Sequence, residues 1–436
     1  MTIRKGSIEE RPPAFTYRNG RRGRTLCCDE VELEKLARQF DTPLYVYSAT
    51  AIRESVAVFQ RAFEKQSHTI CYSVKANSNL SVLRLLASLG CGFDVVSGGE
   101  LMRVMQAGKN AAAGVVFSGV GKTAAEMDAA LDAGILLFNL ESEAELELLG
   151  ARAAEMKKTA RISFRVNPDV KAETHPYIST GLRQHKFGVA ITRARELYRK
   201  AASYTYLDPV GVSVHIGSQI TDMKPFGETM ERVLALVREL AEDGLNISFV
   251  DAGGGLGIRY RGATLAERER SVKAYAKALM RPLRRTGLHL LLEPGRSIVA
   301  SAGALLTRAL YAKENGGKQF LVVDAAMNDL IRPSLYGAHH EIVPLTPRKS
   351  SPETVSGVMD VVGPVCETGD FFAHEREMPP TASGDLLAIL DAGAYGMSLS
   401  SNYNTRGRAA ELMVDGKKVR LVRRRESFED IIRNEI

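Results

Sequence analysis

Cysteine is scarce in this 436-residue chain. There are five, an odd number without paired spacing, which argues against a disulfide framework and against a zinc site. Cys27 and Cys28 are adjacent and cannot easily bridge to each other. No apolar run approaches the length of a membrane span, and the first twenty residues hold Arg4, Lys5, Glu9, Glu10 and Pro12-Pro13 rather than an apolar leader core. The expectation is therefore a reduced, cytoplasmic protein with no signal peptide and no membrane partner. No RNA- or DNA-binding motif is present. The net charge of +7 is dispersed, with small clusters at Arg18–Arg24 and Arg423–Arg425 that read as solvated faces, so nucleic acid is not an expected partner. There is no low-complexity tract. Apolar residues at 45% and charged residues at 25% are ordinary for a soluble globular chain, and the length is too great for one small core.

What is present is a period. Short apolar runs alternate with amphipathic segments: Ile70–Val74, Phe93–Val96, Val115–Phe117, Leu136–Asn139, Arg161–Val166, Val210–His215, Phe249–Asp251 and Leu288–Glu293, with helical spacing between most of them. Eight strands with intervening helices over about 250 residues is the pattern of a (β/α)8 TIM-type barrel. A doubly wound open sheet is the competing architecture. After about residue 305 the period changes to short strands separated by Gly, Pro and Asn, including an Asp415-Gly416 hairpin turn, which reads as a second, β-rich domain. The division expected is an arm over 1–43 that packs with the β domain, a barrel over 44–304 and the β-rich domain over 305–436.

In such a barrel chemistry sits where strands end. Lys75 ends the first strand. Partial desolvation there would favour the neutral amine, the form that attacks an aldehyde to give a Schiff base; a lysine merely emerging into solvent is the alternative. Asp251-Ala-Gly-Gly-Gly-Leu-Gly257 follows the seventh strand, where glycines let backbone N–H groups approach a phosphate; a simple tight turn is the other reading. Glu293-Pro-Gly-Arg296 follows the eighth. A carboxylate there needs a cation, either a nearby arginine or a protonated pyridine nitrogen, the latter worth about 5 kcal/mol at ~3 Å before desolvation. His215 leads into Gly217 and Ser218, so it is either a ligand-facing imidazole or a packed core residue. In the β domain, Cys366 beside Glu367 and Asp370 is a candidate proton donor, its thiol kept protonated by the carboxylates, or else buried packing. Arg332 and Tyr336 suit a substrate carboxylate, and Tyr395 presents another phenol.

Ser73-Val-Lys-Ala-Asn77, Phe93–Glu100, His215–Gln219, the Gly253–Gly257 loop, Glu293-Pro-Gly-Arg296, Cys366–Asp370, Ala394-Tyr-Gly396 and Ser400–Asn404 occur together and in order. In this the chain resembles the diaminopimelate decarboxylase family, pyridoxal-phosphate enzymes of the alanine-racemase-like fold, from about Asp41 to Arg425. The resemblance implies the cofactor pyridoxal 5'-phosphate on Lys75, with His215 stacked on its ring and Glu293 at its nitrogen. It implies Ser218, Gly254, Gly255, Gly295 and Tyr395 at the phosphate, and Arg296, Arg332 and Tyr336 at substrate carboxylates. Tyr395 and Arg296 are expected to face both cofactor and substrate. Glu367 would read the distal ammonium, and Cys366 would be the acid. The implied reaction is decarboxylation of meso-2,6-diaminopimelate to L-lysine, the last step of lysine biosynthesis, in a homodimer where Cys366 and Glu367 reach the partner's site. Gly20–Arg24 matches no useful pattern, and Gly181–Gly188 is given no role.

Three rivals share parts of this pattern. An ornithine- or arginine-type decarboxylase has no distal carboxylate to bind and would not need Arg296, Arg332 and Tyr336 together. A racemase of this fold typically places arginine at the ring nitrogen, where this chain has Glu293. A catalytically silent cofactor carrier would need Lys75 but neither Cys366 nor Glu367.

Overall fold

The structure, a computed structural model, describes residues 14–20, 23–170, 186–260 and 264–436. It divides into two compact units, one of Val56–Ile258 with Glu269–Gly295, the other of Met1–Ser55, Arg259–Arg268 and Arg296–Ile436.

The first unit is a closed barrel. Its strands are β1 His68–Ser73, β2 Gly92–Val95, β3 Val115–Phe117, β4 Leu137–Leu140, β5 Ala160–Asn167, β6 Leu207–Ser213, β7 Phe249–Asp251 and β8 His289–Leu292. Each pairs in parallel with the next, and β8 returns to β1 through Leu290↔His68 and Leu292↔Ile70. That closure rules out the doubly wound sheet. The strands are buried on both faces, which is why they read as apolar runs rather than as alternation. The helices after β1 to β4 start on side-chain caps, whereas Ile191–Ala202 and Lys224–Glu242 do not. Ser97 accepts from Glu100 N, Ser142 from Glu145 N, and Thr123 forms a reciprocal capping box with Glu126. These caps fix where the loops after β1 to β4 end, and so where their polar residues are presented.

The second unit is built on a sheet that runs Phe371–Thr381, Val355–Val362, Lys318–Val323, Gly303–Asn315, Leu44–Ser48, Ala410–Asp415, Lys418–Arg423. Leu44–Ser48 lies mid-sheet, between Gly303–Asn315 and Ala410–Asp415. Its core gathers Tyr45, Tyr47, Leu305, Leu321, Met359 and Leu387. Sequence reading misses Phe371–Thr381, because it contains Pro379-Pro380 and charges at His374–Arg376. It is an edge strand, where proline costs no ladder bond. Sequence reading also misses the hairpin Phe15–Gly20/Gly23–Cys28, which hangs on the same unit through Leu26 N to Leu345 O at 2.7 Å. Arg21, Arg22 and residues 181–185 lie outside the described residues.

Candidate active site

In the barrel, Lys75 sits on a single 3₁₀ turn, Val74–Ala76, directly after β1. Its Nζ is 2.5 Å from Asp94 Oδ2 at the end of β2, and Ser73 Oγ donates to the same oxygen at 2.8 Å. The lysine side chain is 38% exposed and Asp94 is fully buried. Sequence reading considers desolvation alone; a buried carboxylate, which favours the ammonium, is in contact with this amine. Asp94 is a neighbour of Lys75 that sequence reasoning did not pick out, although Phe93–Glu100 is part of the pattern.

Glu293 follows β8 and is buried, 6% exposed. Ser118 Oγ donates to its Oε1 at 3.3 Å, and it hydrogen-bonds Asp251 at the end of β7. Burial, then the Asp251 and Asp94 carboxylates, push its acid group well above the ordinary carboxylate range. No arginine pairs with it among the described residues. Asp251 is held by Asn139 Nδ2 at 2.8 Å, Gly253 N at 2.9 Å and Ser213 Oγ at 3.4 Å. Asn139 also donates to Ser118 Oγ at 3.1 Å, so one amide orients both carboxyl groups. Neither Asn139 nor the Asp251 side chain was singled out from the sequence.

His215 follows β6 and is half-buried rather than packed in the core. Gly254 N–H donates to its Nδ1 at 3.1 Å, which puts the ring proton on Nε2. Burial, then the charges of Arg165 and Lys75, lower its basicity well below the ordinary value, so the ring is a neutral imidazole. Gly254 and Gly255 cannot be replaced in place. A Cβ on Gly254 would lie 2.4 Å from the Glu293 carbonyl oxygen, and one on Gly255, at φ +106°, 2.4 Å from the Gly217 oxygen. A Cβ on Gly295 would meet Ala76 at 2.9 Å, so the turn after β8 packs on the turn that carries Lys75. Ser218 is half-buried beside this loop. An amine, a neutral imidazole, a buried acid in want of a cation and a backbone cradle of glycines together fit pyridoxal phosphate.

Beneath the loops after β3 to β6 runs a brace. Lys122, 1% exposed at its side chain, donates to Gly119 O, Asn139 O and Glu145 Oε1 at 2.7–2.8 Å. Glu145 holds Glu141 N, and Glu141 pairs with Arg165, whose Nη2 reaches the His215 carbonyl at 3.4 Å.

In the second unit, Arg296 and Arg332 are 9% and 5% exposed. Arg296 Nη1 donates to Tyr260 Oη at 2.7 Å, and its guanidinium lies 4.8 Å from the Tyr395 ring centre. Arg332 opens the short helix Arg332–Tyr336; its guanidinium lies 4.6 Å over Tyr260, and Nη1 donates to His340 Nε2 at 2.7 Å. Among the described residues no carboxylate pairs with Arg332. Tyr336 and Tyr395 are half-buried, and Tyr395 is held at φ +56°, a left-handed conformation for a bulky residue. Tyr260 and His340 are further residues the sequence did not reveal. Cys366 and Glu367 are exposed, which removes the buried-packing reading. Asp370 is not a neighbour of the thiol in the way the sequence suggests. It turns inward, accepting from Met327 N at 2.6 Å and Val365 N at 2.7 Å, and so ties down the loop that presents Cys366. A groove of about 620 Å³ in this unit is lined by charges that already pair among themselves, Glu34 with Arg38 and Arg348 with Asp385, and does not compete as the site.

Barrel, β-rich unit and these side chains define a pyridoxal-phosphate-dependent decarboxylase of the alanine-racemase-like fold, and residues 49–300 match the model of the pyridoxal-dependent decarboxylase pyridoxal-binding domain. The chain is 50% identical to the diaminopimelate decarboxylase of Neisseria meningitidis serogroup A, over 94% of this chain and 99% of that one. To the Pseudomonas aeruginosa enzyme of the same name it is 50% identical over 97% and 98%. The crystal structure of the Helicobacter pylori diaminopimelate decarboxylase complexed with L-lysine superposes with a TM-score of 0.87 at 42% identity, covering 93% of this chain and 99% of that chain. The chain belongs to the diaminopimelate decarboxylase family.

Proposed function

We propose that this chain removes one carboxylate from meso-2,6-diaminopimelate to give L-lysine and carbon dioxide, acting in the cytoplasm as a homodimer with shared sites. The observation that carries the substrate assignment is the buried pair Arg296 and Arg332, two guanidiniums met by phenols and an imidazole. Such a pair suits a substrate with a second carboxylate, which ornithine and arginine lack. The L-lysine held by the H. pylori relative is the product this reading requires.

Pyridoxal phosphate, when bound, supplies the aldehyde that engages the substrate amine and the ring that receives the electron pair left by carbon dioxide. The protein's part is binding, orientation and proton placement. Lys75 Nζ would hold the cofactor's aldehyde, and Asp94 Oδ2, 2.5 Å away, would stabilise Nζ as an ammonium whenever it is free. His215 presents a neutral ring to stack, and Glu293 presents its carboxyl to the ring nitrogen. Ser218, the Gly254 and Gly255 N–H groups, Gly295 and Tyr395 hold the phosphate. Arg296, Arg332, Tyr336 and Tyr395 bind carboxylate. Glu367 reads the distal ammonium. Cys366 Sγ delivers a proton to the carbon that has lost carbon dioxide, from the partner subunit's chain.

Carbon dioxide release measured on diaminopimelate, ornithine and arginine tests the substrate, and borohydride reduction with peptide mapping tests the lysine. Diaminopimelate should be preferred and the cofactor should be fixed on Lys75. A preference for ornithine, or a label on another lysine, would overturn the reading.

A further inference from the structure

Arg332 is held by a group whose chemistry is unusual for that task. His340 is fully buried. Its Nδ1 lies 2.8 Å from the Leu390 carbonyl oxygen, which can only accept, so Nδ1 carries the ring proton. Nε2 is then a bare lone pair, and it receives Arg332 Nη1 at 2.7 Å. Burial and the adjacent Arg332 hold the ring neutral, its basicity well below the ordinary value. Tyr260 packs edge-on against the imidazole at 5.3 Å while its face carries the Arg332 guanidinium and its hydroxyl accepts from Arg296. Arg376 Nη1 grips the His340 carbonyl at 2.9 Å, and Nη2 the Nδ1 of His339 at 2.9 Å, so the turn that presents the ring is fixed from behind.

A carboxylate in the place of His340 would also orient Arg332, and more strongly, but it would cancel the charge an incoming anion needs to find. A neutral acceptor orients the fork and leaves its full charge available. Arg332 Nε is buried without a hydrogen-bond partner among the described residues, so the fork has a donor to spare.

We propose that His340 is a positioning residue for substrate recognition, which aims Arg332 at a substrate carboxylate through the Nε2 lone pair while leaving the guanidinium charge uncompensated. The inference rests on the reading that Arg332 binds substrate carboxylate, and the test separates the two.

The ring's two nitrogens can be replaced one at a time. Glutamine places an oxygen near the Nε2 position and can still accept from Arg332. Asparagine reaches only the Nδ1 position, and leucine neither. In the holoenzyme, KM for diaminopimelate should rise about tenfold or more in His340→Leu and in His340→Asn, and stay within about threefold of wild type in His340→Gln. Turnover should change less than KM, and cofactor affinity, read by absorbance titration, should not change. Arg332→Gln should raise KM at least as far, and His340→Leu added to Arg332→Gln should raise it no further. A merely structural histidine would rank the three variants by size or stability, with Asn and Gln alike; that outcome overturns the inference. Should His340→Leu fail to fold, the contrast between Gln and Asn still decides. An unchanged KM in Arg332→Gln would sink the arginine reading, and this inference with it. A raised KM in Arg332→Gln with normal values in all His340 variants would sink only the role of His340.

Discussion

Replacing Glu293 by glutamine should stabilise the cofactor-free protein, and by more as the pH rises. The wild-type carboxyl is buried against Asp251 and near Asp94, and its proton is held well above the ordinary carboxylate range. In the unfolded chain it ionises near its ordinary value of 4.5. Above that pH the folded state binds a proton the unfolded state does not, so stability falls as pH rises toward the folded value, with a limiting slope of about 1.4 kcal/mol per pH unit. Glutamine keeps the shape and can donate to Asp251, but it has no proton to lose. At about 2.1 cal/mol/K per residue, 436 residues unfolding together give an entropy of ~0.9 kcal/mol/K, so the slope amounts to about 1.5 °C of Tm per pH unit. The assay is thermal unfolding of wild type and Glu293→Gln, both stripped of cofactor, from pH 5 to 8. The two curves should meet near the acid end and separate steadily above it. Loading with pyridoxal phosphate should reduce the separation or reverse it, because the carboxylate then has a cation to face. A constant offset, or a variant that loses ground as pH rises, would refute the assignment of a proton to this buried pair.

Removing the buried lysine under the barrel mouth, Lys122→Met, leaves Glu145 and two carbonyls without their donor and should cost about 3–5 kcal/mol, or roughly 3–5 °C by thermal unfolding; adding Glu145→Gln should recover part of it. His215 has a folded-state value pushed below its ordinary 6.5, so its contribution is present above that pH and lost below it. His215→Asn should therefore gain in Tm relative to wild type between about pH 6.5 and 5, and parallel curves would count against a neutral imidazole in the folded state. Lys75→Ala and Cys366→Ala homodimers should each be nearly inactive. A tagged, purified hybrid should show about half of wild-type activity, and a random mixture about a quarter, because one of its two sites carries both lesions and the other neither. A confirmed hybrid no better than its parents would place Cys366 and Lys75 of one chain in the same site.

The barrel was legible because its strands are doubly buried and its first helices carry side-chain caps, so both the runs and many of their ends are written locally. Thr123 with Glu126, and Ser97 and Ser142 three residues before the N–H they accept from, are examples. Phe371–Thr381 was not, because an edge strand is free to carry proline and charge, and its only strand signature is the partner Val355–Val362. The same division runs through the site. Lys75, His215, Glu293, Arg296 and Cys366 could be proposed from the sequence because each combines an ionisable group with a strand end or a glycine-flanked turn. Asp94, Asn139, Tyr260 and His340 carry no such mark. Asn139 looks like any residue near the end of an apolar run until β4 and β7 bring its amide within 2.8 Å of Asp251.

Net charge hides what matters most here. A total of +7 spread over 436 residues suggests nothing but a solvated surface. Yet within the barrel three carboxyl groups, Asp94, Asp251 and Glu293, are buried; Asp94 alone pairs with Lys75, and Asp251 and Glu293 press against each other. Within the second unit Arg296 and Arg332 are buried against Tyr260, Tyr395 and His340, groups that orient a guanidinium without neutralising it. Neither imbalance is a stable choice for its own sake, since replacing either cluster by well-packed apolar side chains would be expected to stabilise the fold. Under the proposed function, each missing counter-charge arrives with a ligand. An excess of buried acid calls for a cationic ring, and an excess of buried guanidinium calls for a carboxylate. The Glu293→Gln and His340→Gln variants probe those two imbalances separately, one through protons and the other through KM.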